Sequence, residues 1–163
     1  MRNLPFIVPF AAAAVLAGAA AAQPAAVNVT LGATLQNKTE ELGAREVQAQ
    51  VDRLSEAVSR ALADSAALEG ARVDLVLTEL KPNRPTFQQT LDRPGLDPIR
   101  SLSIGGAAIE GRITLADGTV QPVRYTWFSN TLADVNGFSV WRDAERAYRR
   151  FGANLAEGRY VSR

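Results

Sequence analysis

Glu79 and Glu110 both fall in runs that alternate apolar with polar residues, the pattern of β-strands. If folding sets those strands side by side, the two carboxylates could work as a general acid and base. The ordinary alternative is a pair of acids facing solvent, where most acidic side chains sit. Glu79 shares its parity with Val73, Leu75 and Leu77, so it is expected to be unusually buried near its strand end. A second group is the loop Lys81-Pro82-Asn83-Arg84-Pro85-Thr86. It offers two cations on a proline-stiffened backbone, with Asn83 placed to cap the turn that follows. The loop reads either as an anion or partner site, or as a crossover whose prolines lower its entropy. Arg84, Arg93 and Arg100 are the first candidates for an anionic ligand. A third group, Arg142, Arg146, Arg149 and Arg150, lies within helical reach and could bind lipid phosphate or an acidic partner. Asp143, Glu145 and Glu157 intersperse, however, and Glu145 stands four residues before Arg149, the spacing of a favourable ion pair. That favours a solvated mixed face.

What is missing narrows the chemistry further. The 163 residues include no cysteine and no histidine. Disulfides, thiolate nucleophiles, cysteine-zinc sites and a lipid-modified N-terminal cysteine are excluded. So are Ser-His-Asp and Cys-His catalysis and the commonest metal ligand. No cofactor and no metal site is called for. The charges nearly balance, with 18 basic and 17 acidic side chains, which is not the profile of a nucleic-acid binder.

The elements that must position these residues begin with an address. Residues 1–22 carry one charge, Arg2, then an apolar run ending in Ala20-Ala21-Ala22 before Gln23-Pro24. This is the pattern of a cleavable secretory signal, and the alternative of a membrane anchor is weakened by the alanine content and by Pro5 and Pro9. No stable membrane anchor is expected after cleavage. Residues 23–163 are expected to form one domain.

Alternation at Val27, Val29 and Leu31 predicts a strand over about 27–35, followed by a polar connection over 36–43. Val47, Val51, Leu54, Val58 and Leu62 form one helical stripe within about 44–65. The run 73–80 is a second strand, making a parallel βαβ unit with the first. Residues 81–98 connect through four prolines, with room for a helical turn over 86–91. A long third strand over 99–115 changes phase at Gly105-Gly106, which predicts a β-bulge there. The alternative is bare backbone for a ligand to approach. Asp117-Gly118 predicts a hairpin into a fourth strand over about 119–128. A last helix over about 139–157, capped by Ser139, carries Trp141, Ala144, Tyr148, Phe151 and Leu155 on one stripe. The order β-α-β-β-β-α predicts an α+β fold: a two-layer α/β sandwich, with a four-stranded mixed sheet and two helices on one face.

The segment Gly105-Gly106-Ala107-Ala108-Ile109-Glu110, the Asp117-Gly118 hairpin, and Trp141-Arg142-Asp143-Ala144 leading to Phe151 and Leu155 resemble a family of small uncharacterised proteobacterial envelope proteins. The resemblance spans roughly residues 70–157. It implies an envelope location and the α/β sandwich, and it brings no activity, substrate or catalytic residue. Many members are described as lipoproteins. This chain has no cysteine to lipidate, which points to a free periplasmic protein.

The expected function is therefore that of a non-enzymatic accessory or interaction protein of the bacterial envelope. It would bind an envelope protein through a sheet edge or the proline-rich loop. The alternative is a periplasmic binder of a small anionic ligand or lipid headgroup, followed by a carboxylate-based enzyme built on Glu79 and Glu110.

Overall fold

The computed structural model describes residues 26–63, 65 and 68–162. The expected signal segment, residues 1–22, lies outside them. In chain order the elements are β1 (Ala26–Leu31), α1 (Ala33–Gln36), α2 (Thr39–Leu42), α3 (Ala44–Ala63), β2 (Arg72–Lys81), α4 (Phe87–Asp92), β3 (Gly106–Thr114), β4 (Val120–Phe128), a 3-10 turn (Leu132–Asp134), α5 (Arg142–Ala156) and β5 (Val161–Ser162). The fold is α+β, as the alternation pattern requires. The four long strands lie in chain order, β1 parallel to β2 and the next two pairs antiparallel. The two residues of β5 add a parallel fragment beside Arg124 and Tyr125 of β4. Among the described residues β1 leaves one edge unpaired, and β5 covers only two of the nine residues of β4.

The long helices α3 and α5 pack on each other and on one face of the sheet. Period-two burial on the strands meets period-3.6 burial on the helices. Val73, Leu75 and Leu77 of β2, Ile109 and Ile113 of β3, and Val123 and Tyr125 of β4 face inward. They meet Val47, Leu54, Val58 and Leu62 of α3, and Ala144, Tyr148, Phe151 and Leu155 of α5. The Tyr125 and Phe151 rings stand 5.4 Å apart across the two layers. Burying each such large side chain contributes about 1.5–3 kcal/mol.

Four local expectations need correction. The first strand is shorter than expected: it ends at Leu31, and the connection after it folds into α1 and α2, whose Leu35 and Leu42 enter the core. The third strand begins only at Gly106; residues 99–104 lie outside the sheet, so the phase change of Leu102 and Ile104 reflects a loop rather than a bulge in β3. The register irregularity is on the opposite strand, where Leu77 faces Ile109 and Glu79 faces Ala108, leaving Thr78 as the extra residue. That shift turns Leu80 into the core and Glu79 to the open face of the sheet. Lastly, Ser139 does not cap the last helix. Helix α5 starts at Arg142, after Trp141, and its cap comes from elsewhere.

Candidate functional site

The most tightly built region lies where β2 and β4 leave the sheet and α5 begins. Asn83, Arg84, Thr86, Ser129 and Asp143 are all buried there. The Asn83 amide donates to Asp143 Oδ2 at 2.5 Å, and its carbonyl oxygen accepts the Asp143 backbone N–H at 2.9 Å. That N–H is one of the donors a helix leaves free in its first turn, so Asn83 caps α5 from 60 residues away. The Ser129 hydroxyl donates to the same carboxylate oxygen. Backbone bonds from Asn83 N–H to Val140 O (2.7 Å), from Ser103 N–H to Asn83 O (2.9 Å) and from Ser129 N–H to Gly105 O (3.0 Å) draw three loops together. A carboxylate near a helix N-terminus is also favoured by the helix dipole. With acid, amide and hydroxyl all sealed from solvent, the cluster is a structural brace.

Beside it, Arg84 donates to the carbonyls of Ile99 and, at 2.9 Å, Gly137, and its guanidinium lies 5.2 Å from the Phe138 ring centre. Thr86, rather than Asn83, caps α4, in a reciprocal pair with Gln89. Glu46 of α3 accepts from Phe87 N–H at 3.1 Å and from Trp141 Nε1 at 2.9 Å, tying α4 and the start of α5 to α3.

The other expected site residues are dispersed among separate partners. Glu79 pairs with Lys81 at 2.8 Å and is 42% exposed, which overturns the expectation of burial: the extra residue at Thr78 reverses its parity. Glu110 faces Val76 and pairs with Arg124 at 3.3 Å. Each carboxylate thus has its own cation, and Ala108, not Glu110, stands opposite Glu79. Lys81 also lies 4.8 Å from the Phe128 ring centre. Arg93 pairs with Glu41 at 2.7 Å. Arg100 is exposed, and its backbone N–H donates to Asp97 at 2.8 Å. That bond and a second from the Ile99 N–H hold the Asp97 carboxyl below its ordinary pKa.

A cavity of about 280 Å³ lies between α3 and α5, lined by Arg53, Glu56, Arg60, Glu145, Tyr148 and Arg149. Its charges are largely spent on each other, Arg53 with Glu145 and Arg60 with Glu56. The buried Tyr148 hydroxyl has no partner among the described residues. Burial pushes its pKa well above the ordinary phenol value, against the pull of nearby Arg53. The native state therefore keeps this proton as the pH passes about 10, where the unfolded chain loses it. The associated stability is complete below that pH and declines above it. Tyr148→Phe, which removes a hydroxyl without a partner, is expected to leave neutral-pH stability within about 1 kcal/mol of wild type or to raise it. It should also flatten the loss above pH 10. Urea unfolding at pH 7 to 11 checks this, and parallel pH curves for the two proteins would count against it.

The arginines of α5 were legible in the sequence, but their compensation is not the expected one. Glu145 pairs with Arg53 of α3 rather than with Arg149, Asp143 turns inward to Asn83 and Ser129, and Glu157 pairs with Arg159. Arg146 and Arg150 lie 5.2 and 4.9 Å from the Trp127 ring centre instead. Asp143 and Ser129 are the residues that reading the sequence missed as site components, and only Asp143 carried a signal, as an acid in a helical first turn. Trp127, whose strand spacing fits core packing better than an aromatic binding platform, is half-buried beside Arg146 and Arg150. Comparison with known proteins finds no matching family model and no curated protein that matches the chain.

Proposed function

We propose that this is a non-enzymatic interaction protein of the bacterial envelope, exported by removal of residues 1–22, that binds a protein partner through the loops around the buried brace. The supporting observation is the set of apolar side chains those loops hold in solvent. Phe138 is 79% and Phe87 71% exposed, and Leu91, Ile99, Leu102 and Ile104 are exposed with them. Soluble proteins seldom leave so many large apolar groups on neighbouring loops unless they serve contact. Phe87 and Leu91 sit one turn apart on α4, while Ile99 and Phe138 flank Arg84. Because Asn83, Arg84 and Asp143 already fix the loops, docking would forfeit little further conformational entropy.

The alternative of a small anionic ligand on Arg84, Arg93 and Arg100 has less support, because Arg84 and Arg93 are committed to carbonyls and to Glu41. A carboxylate enzyme has less still, since Glu79 and Glu110 are paired separately.

The test is site-specific photo-crosslinking in cells with a C-terminally tagged chain. A probe at position 138 should yield one dominant adduct with an envelope protein, and a probe at Asp117, in the hairpin at the opposite end of β3 and β4, should not. Equal adducts from both positions, or none from 138, would overturn the reading. With the probe at 138, Phe87→Ser and Ile99→Ser should abolish the adduct while changing stability by no more than about 0.5 kcal/mol, as exposed positions do.

A further inference from the structure

Helix α5 buries one side and presents the opposite side to solvent. On the exposed side stand Arg142, Arg146, Arg149 and Arg150, which fall within about 100° of arc at 100° per residue. No acidic residue of α5 or its C-cap answers them, because Asp143, Glu145 and the capping Glu157 are spent on Asn83 and Ser129, on Arg53 and on Arg159. None of the four arginines has an ion pair among the described residues. The neighbouring helix α3 is different: Arg53 and Arg60 each meet a carboxylate. Four like charges on one face repel one another, a modest cost in water that an anion covering the face would relieve.

We propose that this face of α5 docks the protein reversibly on an anionic phospholipid surface. Three features favour a bilayer over other anions. The charges spread over eight residue steps, about 12 Å along an outward helix face, which suits an array of phosphates more than a single one. Trp127, half-buried at the rim of that face, holds Arg146 and Arg150 against its ring, and an indole beside guanidinium groups suits the headgroup layer. Of the two concavities beside these arginines, the one that Arg149 lines has Arg53 and Arg60 paired with Glu145 and Glu56, and the one of about 350 Å³ beside Trp127, Tyr125 and Arg150 has its second arginine, Arg159, bonded to Asn154 and Glu157. A small anion would find only part of a site there. An acidic peptide would need a groove or a strand edge along the arginines. No helix among the described residues is long and apolar enough to cross a membrane. This docking rests on α5 and on Trp127 of β4, and does not depend on the loop partner proposed above.

The experiment is co-sedimentation of the protein, purified after export, with vesicles of phosphatidylglycerol or of phosphatidylcholine at low and at physiological salt. Binding to phosphatidylglycerol that weakens with salt, with little binding to phosphatidylcholine, is expected. Each arginine changed to glutamine should weaken it about fivefold, and all four together on the order of a hundredfold or more. Replacing all four by lysine should restore most of it, and the pair Arg45→Gln and Arg60→Gln on α3 should leave it unchanged. Thermal unfolding confirms that each variant is folded. A blue shift of Trp127 emission on vesicles, lost in Trp127→Phe, would place the same face at the lipid. Equal binding to both lipids, or full phosphatidylglycerol binding by the four-glutamine variant, would overturn the proposal. So would capture of polyglutamate with no vesicle binding, which would assign the face to an acidic protein.

Discussion

Asp143→Ala is expected to lower the unfolding free energy by about 3 kcal/mol, because it strands buried donors that have no access to water. The carboxylate accepts from the Asn83 amide and from the Ser129 hydroxyl, and all three residues are buried. Asn83→Ala should cost a similar amount by another route. It removes the distant cap of α5, worth about 1 kcal/mol, and leaves the Asp143 carboxylate buried with one donor fewer. Since both substitutions remove the bond between the Asn83 amide and the Asp143 carboxylate, the double variant should cost less than the two single losses together, by at least about 1 kcal/mol. Urea unfolding of the four proteins completes the cycle. Additive effects, or single losses below about 0.5 kcal/mol, would show that the brace does not hold the loops. A folded but weakened Asn83→Ala protein should also lose selectivity in crosslinking at position 138, since the partner surface depends on these loops being fixed.

Gly106→Ala is expected to cost about 4 kcal/mol or to prevent folding, because steric overlap and backbone strain act together. A Cβ at this position would sit 2.2 Å from Trp127 O and 2.6 Å from Phe128 Cα, and the residue has φ of +149°. Gly106 is flanked by Lys81 on β2 and Phe128 on β4, so the ladder bonds on both sides resist a shift. Gly105→Ala acts differently. Its Cβ would fall 2.6–2.7 Å from the Asn83 amide group, so it should displace that side chain and reproduce the Asn83→Ala loss. Gly118→Ala, in the open hairpin with nothing within 4 Å, is the comparison, and its left-handed backbone should cost only about 1 kcal/mol. Thermal or urea unfolding ranks the three. Gly106→Ala as mild as Gly118→Ala would mean that the start of β3 is free to relax.

The placement of these glycines also shows where sequence patterns stop being informative. Gly105-Gly106 marked a break in alternation, and a break was there, but the residues before it leave the sheet and the extra residue is Thr78 on the facing strand. The hint lay in β2 itself: Val73, Leu75 and Leu77 step by two, and the next core residue is Leu80, three further on. An odd step among buried residues is the signature of a bulge. Reading Glu79 on the parity of Val73 passed over it, and so placed an exposed acid near the core.

Composition and period determined much of this protein. The absence of cysteine and histidine bounds the chemistry, and the alternating runs with two apolar helical stripes require a sheet covered by helices on one face, whatever lies between them. Those signals are local, because a residue's own neighbours set which face it buries. Tertiary structure alone decided which polar groups meet. Nothing near Asn83 in the chain indicates that it caps α5, and nothing near Glu145 indicates that it prefers Arg53 of another helix to Arg149 four residues on. Hydrogen bonds and ion pairs are short-ranged, and their partners are chosen by how the layers pack. The loop brace and the uncompensated arginine face, the two surfaces on which function is proposed, therefore exist only once the helices and the sheet are assembled.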